Sequence, residues 1–146
     1  MKFALLSATA LIGTIFVATP VKAENPAHVQ QLLQTGECQS CDLSGANLSG
    51  AHLIGADLRD ANLQAANLTN TNLEGADLTG ANLQNANMRR AFATDASLIN
   101  TNLTGVNFNG TRLYSAQLDG AVLTGAKFEG AKLYGADLSE LKNRLD

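Results

Sequence analysis

Three groups of residues carry side chains whose types and spacing could support chemistry. Cys38 and Cys41 form a CxxC pair, a spacing that serves thiol exchange, half of a zinc site or a short disulfide. The two histidines, His28 and His52, have neither zinc-site spacing nor a reason to converge, so no metal is expected. The third group is Phe92, Arg112, Tyr114, Lys132 and Tyr134, aromatic and basic residues of the kind that contact surfaces enrich. No Ser/His/Asp set, catalytic carboxylate pair or phosphate-binding loop emerges, so neither an enzyme nor a cofactor is expected.

The elements that position these residues follow from a five-residue unit running unbroken from Cys41 to Glu140, 100 residues in 20 units. Its large central place is Leu in 16 units, with Met88, Ala93, Phe108 and Phe128 in the others. Two residues earlier the chain is small, Ala in 15 units and Cys41, Thr71, Thr101, Val106 or Thr111 elsewhere. Asn or Asp stands between them in 12 units, and the last place is mostly Gly. A helix cannot use this period, because five steps of ~100° move each Leu ~140° around the axis. A continuous strand fails as well, since an odd period sends successive Leu residues to opposite faces. What fits is three extended residues, the first and third facing inward, followed by a two-residue bend suited to Gly, Asn, Asp and Ser.

A second period sets the size of each coil. Residues 104–123 and 124–143 match at Phe108 with Phe128 and at Tyr114 with Tyr134, which a five-residue rule alone does not require. Residues 20 apart are therefore expected to stack, giving four units per coil, about five coils, and a rod of ~24 Å at ~4.8 Å per coil. The repeated Ala46-Asn47-Leu48-Ser49-Gly50 and Ala76-Asp77-Leu78-Thr79-Gly80 resemble the pentapeptide repeat family. The resemblance implies an all-β fold, a right-handed quadrilateral β-helix. The opening TGECQSCDLSGANL (35–48) also resembles a lead-in of exported cyanobacterial members, including those of the thylakoid lumen.

Open coil ends need caps. Asn25-Pro26 starts a helix, Val29, Leu32 and Leu33 line one face of it, and Gly36 ends it. At the other end Leu138, Leu141 and Leu145 recur at helical spacing, enough for a short lid. The expected division is a signal segment at 1–23, a capping helix and lead-in at 24–37, the β-helix at 38–140 and a C-terminal cap at 141–146. Cys38 falls at a large place and Cys41 at a small one, so both should face the core, one bend apart. In an oxidising compartment that favours a disulfide stapling cap to first coil; the alternative is a thiol-redox pair. One flaw interrupts the repeat, Phe92-Ala93, where Asn or Asp and then Leu are expected. Either Phe92 turns inward to fill the gap or it stays outside above a thin core.

Residues 1–23 combine Lys2, an apolar stretch from Phe3 to Ala18, and Val21-Lys22-Ala23, the order of an export signal cleaved before Glu24. That apolar stretch is 16 residues long and contains Ser7 and Thr14, short of the ~20 that span a bilayer, so no membrane attachment is expected after cleavage. Removing Lys2 and Lys22 leaves 8 basic against 13 acidic residues, a net charge of −5, which disfavours nucleic acid. Stacking by 20 gives an acidic wall of Asp57, Asp77, Ser97, Gln117 and Asp137, flanked by Asp60, Asp119 and Glu140, with Arg59 its only base. The preceding wall carries Ile54, Phe92, Tyr114 and Tyr134 beside His52, Arg112 and Lys132. The expected function is a non-catalytic interaction or scaffold module in the periplasm or thylakoid lumen, binding an unknown protein partner through that aromatic and basic wall. A structural alternative is that stacked Tyr side chains only stabilise neighbouring coils. A functional alternative, borrowed from family members that mimic DNA and bind gyrase, is topoisomerase inhibition, against which the export signal argues. Oligomeric state is not readable from the sequence.

Overall fold

The computed structural model describes residues 25–136. The signal segment, Asp137, and the lid formed by Leu138, Leu141 and Leu145 lie outside the described residues. The chain opens with α1, Pro26–Thr35. Asn25 caps it, its side chain accepting from the Ala27 N–H at 3.1 Å, and Pro26 supplies a preset φ where no N–H is needed. Gly36, at φ 73°, ends it by donating its N–H to the Leu32 carbonyl at 2.9 Å. Leu32 is buried in the core and Val29 packs against it, but Leu33 is 55% exposed. Adjacent helical residues diverge by ~100°, so one face could not take both leucines.

From Glu37 onward every fifth residue bridges in parallel to the residue 20 further on, from Glu37 with Asp57 to Arg112 with Lys132, 16 bridges in an unbroken series. The ladder alternates in direction: Leu43 N–H donates to the Asn62 carbonyl and Asn62 N–H to the Cys41 carbonyl, both at 2.8 Å. Between bridges the chain turns a corner. The residue at the small place returns its N–H to the large residue three positions earlier, as Ala46 does to Leu43 at 3.0 Å. The last place of each unit, from Ser40 to Gly135 in steps of five, has φ between 54° and 74°. A hydrogen bond closing four residues with a left-handed third residue is a type II turn, which is why the repeat places Gly there. Gly fills 11 of those 20 corners; Asn and Asp tolerate the left-handed region, but Ala65 and Arg90 occupy it against their own preference.

Four such units make one coil, so each coil contributes four three-residue walls, called first to fourth in chain order from the column that begins at Asp42. The inward Leu and Ala columns form one continuous apolar spine, Leu43, Leu63, Leu83 and Leu103 all being fully buried. Phe108 and Phe128 stack with ring centroids 5.1 Å apart, as their 20-residue spacing requires. The three buried threonines donate inward hydroxyls to carbonyls, Thr71 to Leu48 at 2.7 Å, Thr101 to Leu98 and Thr111 to Met88 at 2.6 Å. Among the described residues no buried side-chain polar atom lacks a partner, so the spine carries no unsatisfied group.

Candidate functional site

The outward middle residue of each unit decides what a wall can do. In all 11 described units where it is Asn or Asp, its Oδ1 accepts the backbone N–H two residues on, at 3.0–3.3 Å, from Ser44 to Asp42 through Asn109 to Asn107. That N–H opens the corner turn and has no backbone acceptor, so the side chain completes the turn. Some amides also reach the next coil: Asn67 Nδ2 donates to Asn47 Oδ1 at 3.0 Å. The first and second walls are largely Asn columns engaged in this way.

The third wall is different. Its middle column reads His52, Asn72, Phe92, Arg112 and Lys132, joined by consecutive bridges, and only Asn72 makes the corner bond, to Glu74 N–H at 3.1 Å. Phe92 points outward and is half-buried, while Ala93 is fully buried between Leu73 and Leu113 of the same column. The ladder holds Phe92 there, its N–H on the Thr71 carbonyl at 2.9 Å and the Ala93 N–H on the Arg112 carbonyl at 2.7 Å. The Arg112 guanidinium lies over the Phe92 ring, 4.7 Å from its centroid, a cation–π contact between successive coils. Tyr114 and Tyr134 share the adjacent corner column, 38% and 86% exposed, with Ile54 at 63% in the same column three coils below Tyr114. Among the described residues the stacked ring pair is Phe108–Phe128, and the two tyrosines make no ring contact. The structure thus brings Phe92, Arg112, Tyr114, Lys132 and Tyr134 onto one face.

The fourth wall carries Asp57 and Asp77, with Arg59 bound to Asp57 at 2.5 Å and 3.9 Å from Asp77. The hydrogen bond from Arg59 holds the Asp57 carboxyl below its usual range, against the opposing effect of partial burial. Thr79 and Ser97 hydroxyls meet at 2.9 Å further along. Cys38 and Cys41 are buried and their sulfurs are bonded, with Cα atoms 5.2 Å apart. His28 Nδ1 accepts the Asp42 N–H at 2.9 Å, and Gln31 Nε2 donates to the Glu37 carbonyl at 2.8 Å, so both tie α1 to the first coil. Among the described residues no group of three or more His, Cys, Asp or Glu side chains could hold a metal ion, and no helix is long and apolar enough to cross a membrane. Sequence reasoning missed the turn-closing role of the Asn and Asp residues and the left-handed conformation of Arg90; the latter was signalled by an Arg standing where the repeat places Gly.

A family model described as pentapeptide repeats matches the chain in eight copies over residues 41–80, 76–113 and 102–140. No curated protein matches the sequence. Among solved structures, a pentapeptide repeat protein from Nostoc PCC 7120 is 26% identical, with 80% of this chain and 91% of that chain covered and a TM-score of 0.51. A pentapeptide repeat protein from the Arabidopsis thaliana thylakoid lumen is 32% identical over 74% of this chain and 69% of its own, with a TM-score of 0.48. HetL, involved in heterocyst differentiation regulation in the cyanobacterium Nostoc sp. strain PCC 7120, is 30% identical over 68% of this chain, with a TM-score of 0.37. The chain spans about half of HetL's length, 54%.

Proposed function

Because the chain belongs to the pentapeptide repeat family, whose fold is a right-handed β-helix solenoid, we propose that it is a non-catalytic rod that holds a protein partner on its third wall. In full the rod is a quadrilateral helix of about five coils, capped at its N-terminal end by α1 and exported to a periplasm or thylakoid lumen. The observation that carries the reading is what the third wall gives up. Its column forgoes the turn-closing Asn or Asp at His52, Phe92, Arg112 and Lys132, each worth about 0.5–1.5 kcal/mol as a net hydrogen bond, and presents aromatic and cationic groups instead. Only the Arg112–Phe92 contact returns part of that loss to the fold, whereas an interface makes use of the whole column. The walls described are convex and regular, which favours surface recognition over catalysis. The leader-like residues 1–23 support export, and with it a disulfide rather than a thiol pair at Cys38 and Cys41.

The test is affinity capture from the native exported fraction with the wild-type chain and with Tyr114→Ser/Tyr134→Ser. Loss of the captured partner with unchanged β-type circular dichroism supports the interface. Unfolding of the double variant would instead assign the tyrosines to coil stability, and undiminished capture would remove the third wall from consideration. Fractionation and mass measurement of the expressed chain test export: a cytoplasmic product retaining residues 1–23 contradicts it.

A further inference from the structure

The third wall gathers more charge than its own column. Arg89 and Arg90 form the corner by which one coil enters it, Arg112 and Lys132 stand on it, and Lys127 ends the adjoining second wall. These are five of the six basic residues in the described part of the chain. None of the five makes an ion pair among the described residues, whereas the sixth, Arg59, is bound to Asp57. Glu74, Asp95 and Glu129 rim the face, so five minus three leaves a local charge of +2 on a chain whose formal charge is −3.

Two of these cations are held in unusual ways. Arg90 has φ 56°, a left-handed conformation that L side chains other than Asn and Asp adopt at a cost. Its side chain makes no hydrogen bond or ion pair within the described residues; it runs across the next coil, where a Cβ at Gly110 would sit 3.4 Å from its Cγ. Arg112 is fixed by the Phe92 ring beneath it, which leaves the edge of its guanidinium free to meet a carboxylate in a two-point fork. Backbone strain at Arg90, a missing core Leu at Ala93 and a displaced turn residue at Phe92 therefore fall within four residues, at the centre of the basic face. Local rule-breaking of this kind is what functional surfaces carry.

Resting on the reading of this wall as a partner face, we infer that its occupant is an acidic protein segment, carboxylates interleaved with apolar side chains. Arg112 and Arg90 bind the carboxylates, and Tyr114 and Tyr134 supply the apolar floor. The face favours a peptide over a bilayer or a nucleic acid on two grounds. It is three extended residues wide, the footprint of one strand, and a broader anionic surface would also meet the acidic fourth wall one corner away. The chain's net negative charge further opposes generic polyanion binding.

The test is fluorescence anisotropy of a labelled synthetic peptide alternating glutamate and leucine, against the same peptide with glutamine for glutamate, a labelled DNA duplex and phosphatidylglycerol vesicles. The glutamate peptide is expected to bind, more weakly as salt rises, and the other three are not. Arg112→Gln and Arg90→Gly should each lower its affinity by about tenfold or more, while Arg59→Gln on the fourth wall leaves it unchanged. Arg90→Gly should at the same time raise the unfolding temperature, so misfolding cannot account for its loss of binding. Equal binding of the glutamine peptide, the duplex or the vesicles overturns the inference, as does retained affinity in both arginine variants. If the arginine variants bind normally but Tyr114→Ser/Tyr134→Ser abolishes native capture, the partner face stands and its acidic occupant falls; if capture is also unchanged, both fall.

Discussion

Restoring Asn to the third wall should make the protein more stable. Phe92→Asn and Arg112→Asn each give a corner the acceptor that the 11 Asn and Asp side chains supply elsewhere, to the Thr94 and Tyr114 N–H groups respectively. A net hydrogen bond of this kind contributes about 0.5–1.5 kcal/mol. Against it stands the contact of Arg112 over the Phe92 ring, about 0.5–1 kcal/mol at an exposed site. Either single substitution loses that contact, so each should lie between about −0.5 and +1 kcal/mol relative to wild type. The double variant loses the contact only once while gaining two turn bonds, and should be more stable by about 0–2.5 kcal/mol. The sum of the single effects should fall short of the double by about 0.5–1 kcal/mol, the coupling energy of the pair. Urea unfolding followed by circular dichroism measures all three, with Asn67→Ala as the converse control, expected to cost about 1 kcal/mol or more through the loss of its bonds to the Thr69 N–H and hydroxyl and to Asn47 Oδ1. A double variant less stable than wild type, or an Asn67→Ala without effect, would refute the assignment of the middle Asn to turn closure and with it the argument that the third wall forgoes stability.

Ala65→Gly should raise stability by about 0.5–1 kcal/mol: relief of a left-handed L residue at φ 56°, about 1–2 kcal/mol, exceeds the added unfolded-state entropy of Gly, and a lowered urea midpoint would contradict the corner conformation. Cys38→Ala/Cys41→Ala should cost about 2 kcal/mol from the four-residue loop alone, and hydrogen exchange should localise the loss to first-coil amides such as Leu43. For pH, the Asp57 carboxyl is depressed by Arg59, so its contribution is present above the unfolded carboxyl pKa and is lost as pH falls through the folded one. Arg59→Ala should therefore lower stability slightly at neutral pH, in a salt-sensitive way, and converge with wild type in strong acid; a difference that persists there would place the effect elsewhere.

Much of the fold was legible because the repeat encodes it twice, once in the five-residue alternation of inward Ala and Leu and once in matches 20 residues apart. Phe108 and Phe128 illustrate the second: their spacing required the stack that their rings make. Other features depend on details that periodicity does not carry. The sequence does not say how α1 is rotated about its axis, so Leu32 and Leu33 look alike, yet only Leu32 meets the core. Phe92 could be read inward or outward until the ladder bonds on either side of it fixed the backbone, after which the middle place points out whatever residue occupies it. The turn-closing use of Asn and Asp was hidden because both residues suit bends for several reasons. The third wall was readable as a set of residue types, but the seat of Arg112 on Phe92 and the strain at Arg90 required coordinates.

The 20-residue register underlies every wall assignment, and engineered disulfides test it directly. Ser97 and Gln117 form one of the parallel bridges, and bridged neighbours about 4.8 Å apart fall within the Cα separation that a disulfide accepts. Ser97→Cys/Gln117→Cys should close under mild oxidation, as read by peptide mass mapping. Ser97→Cys/Arg112→Cys and Ser97→Cys/Val122→Cys, whose partners lie around a corner and point away, should remain reduced. Closure of either of those pairs in place of the first would mean three or five units per coil and would contradict the account.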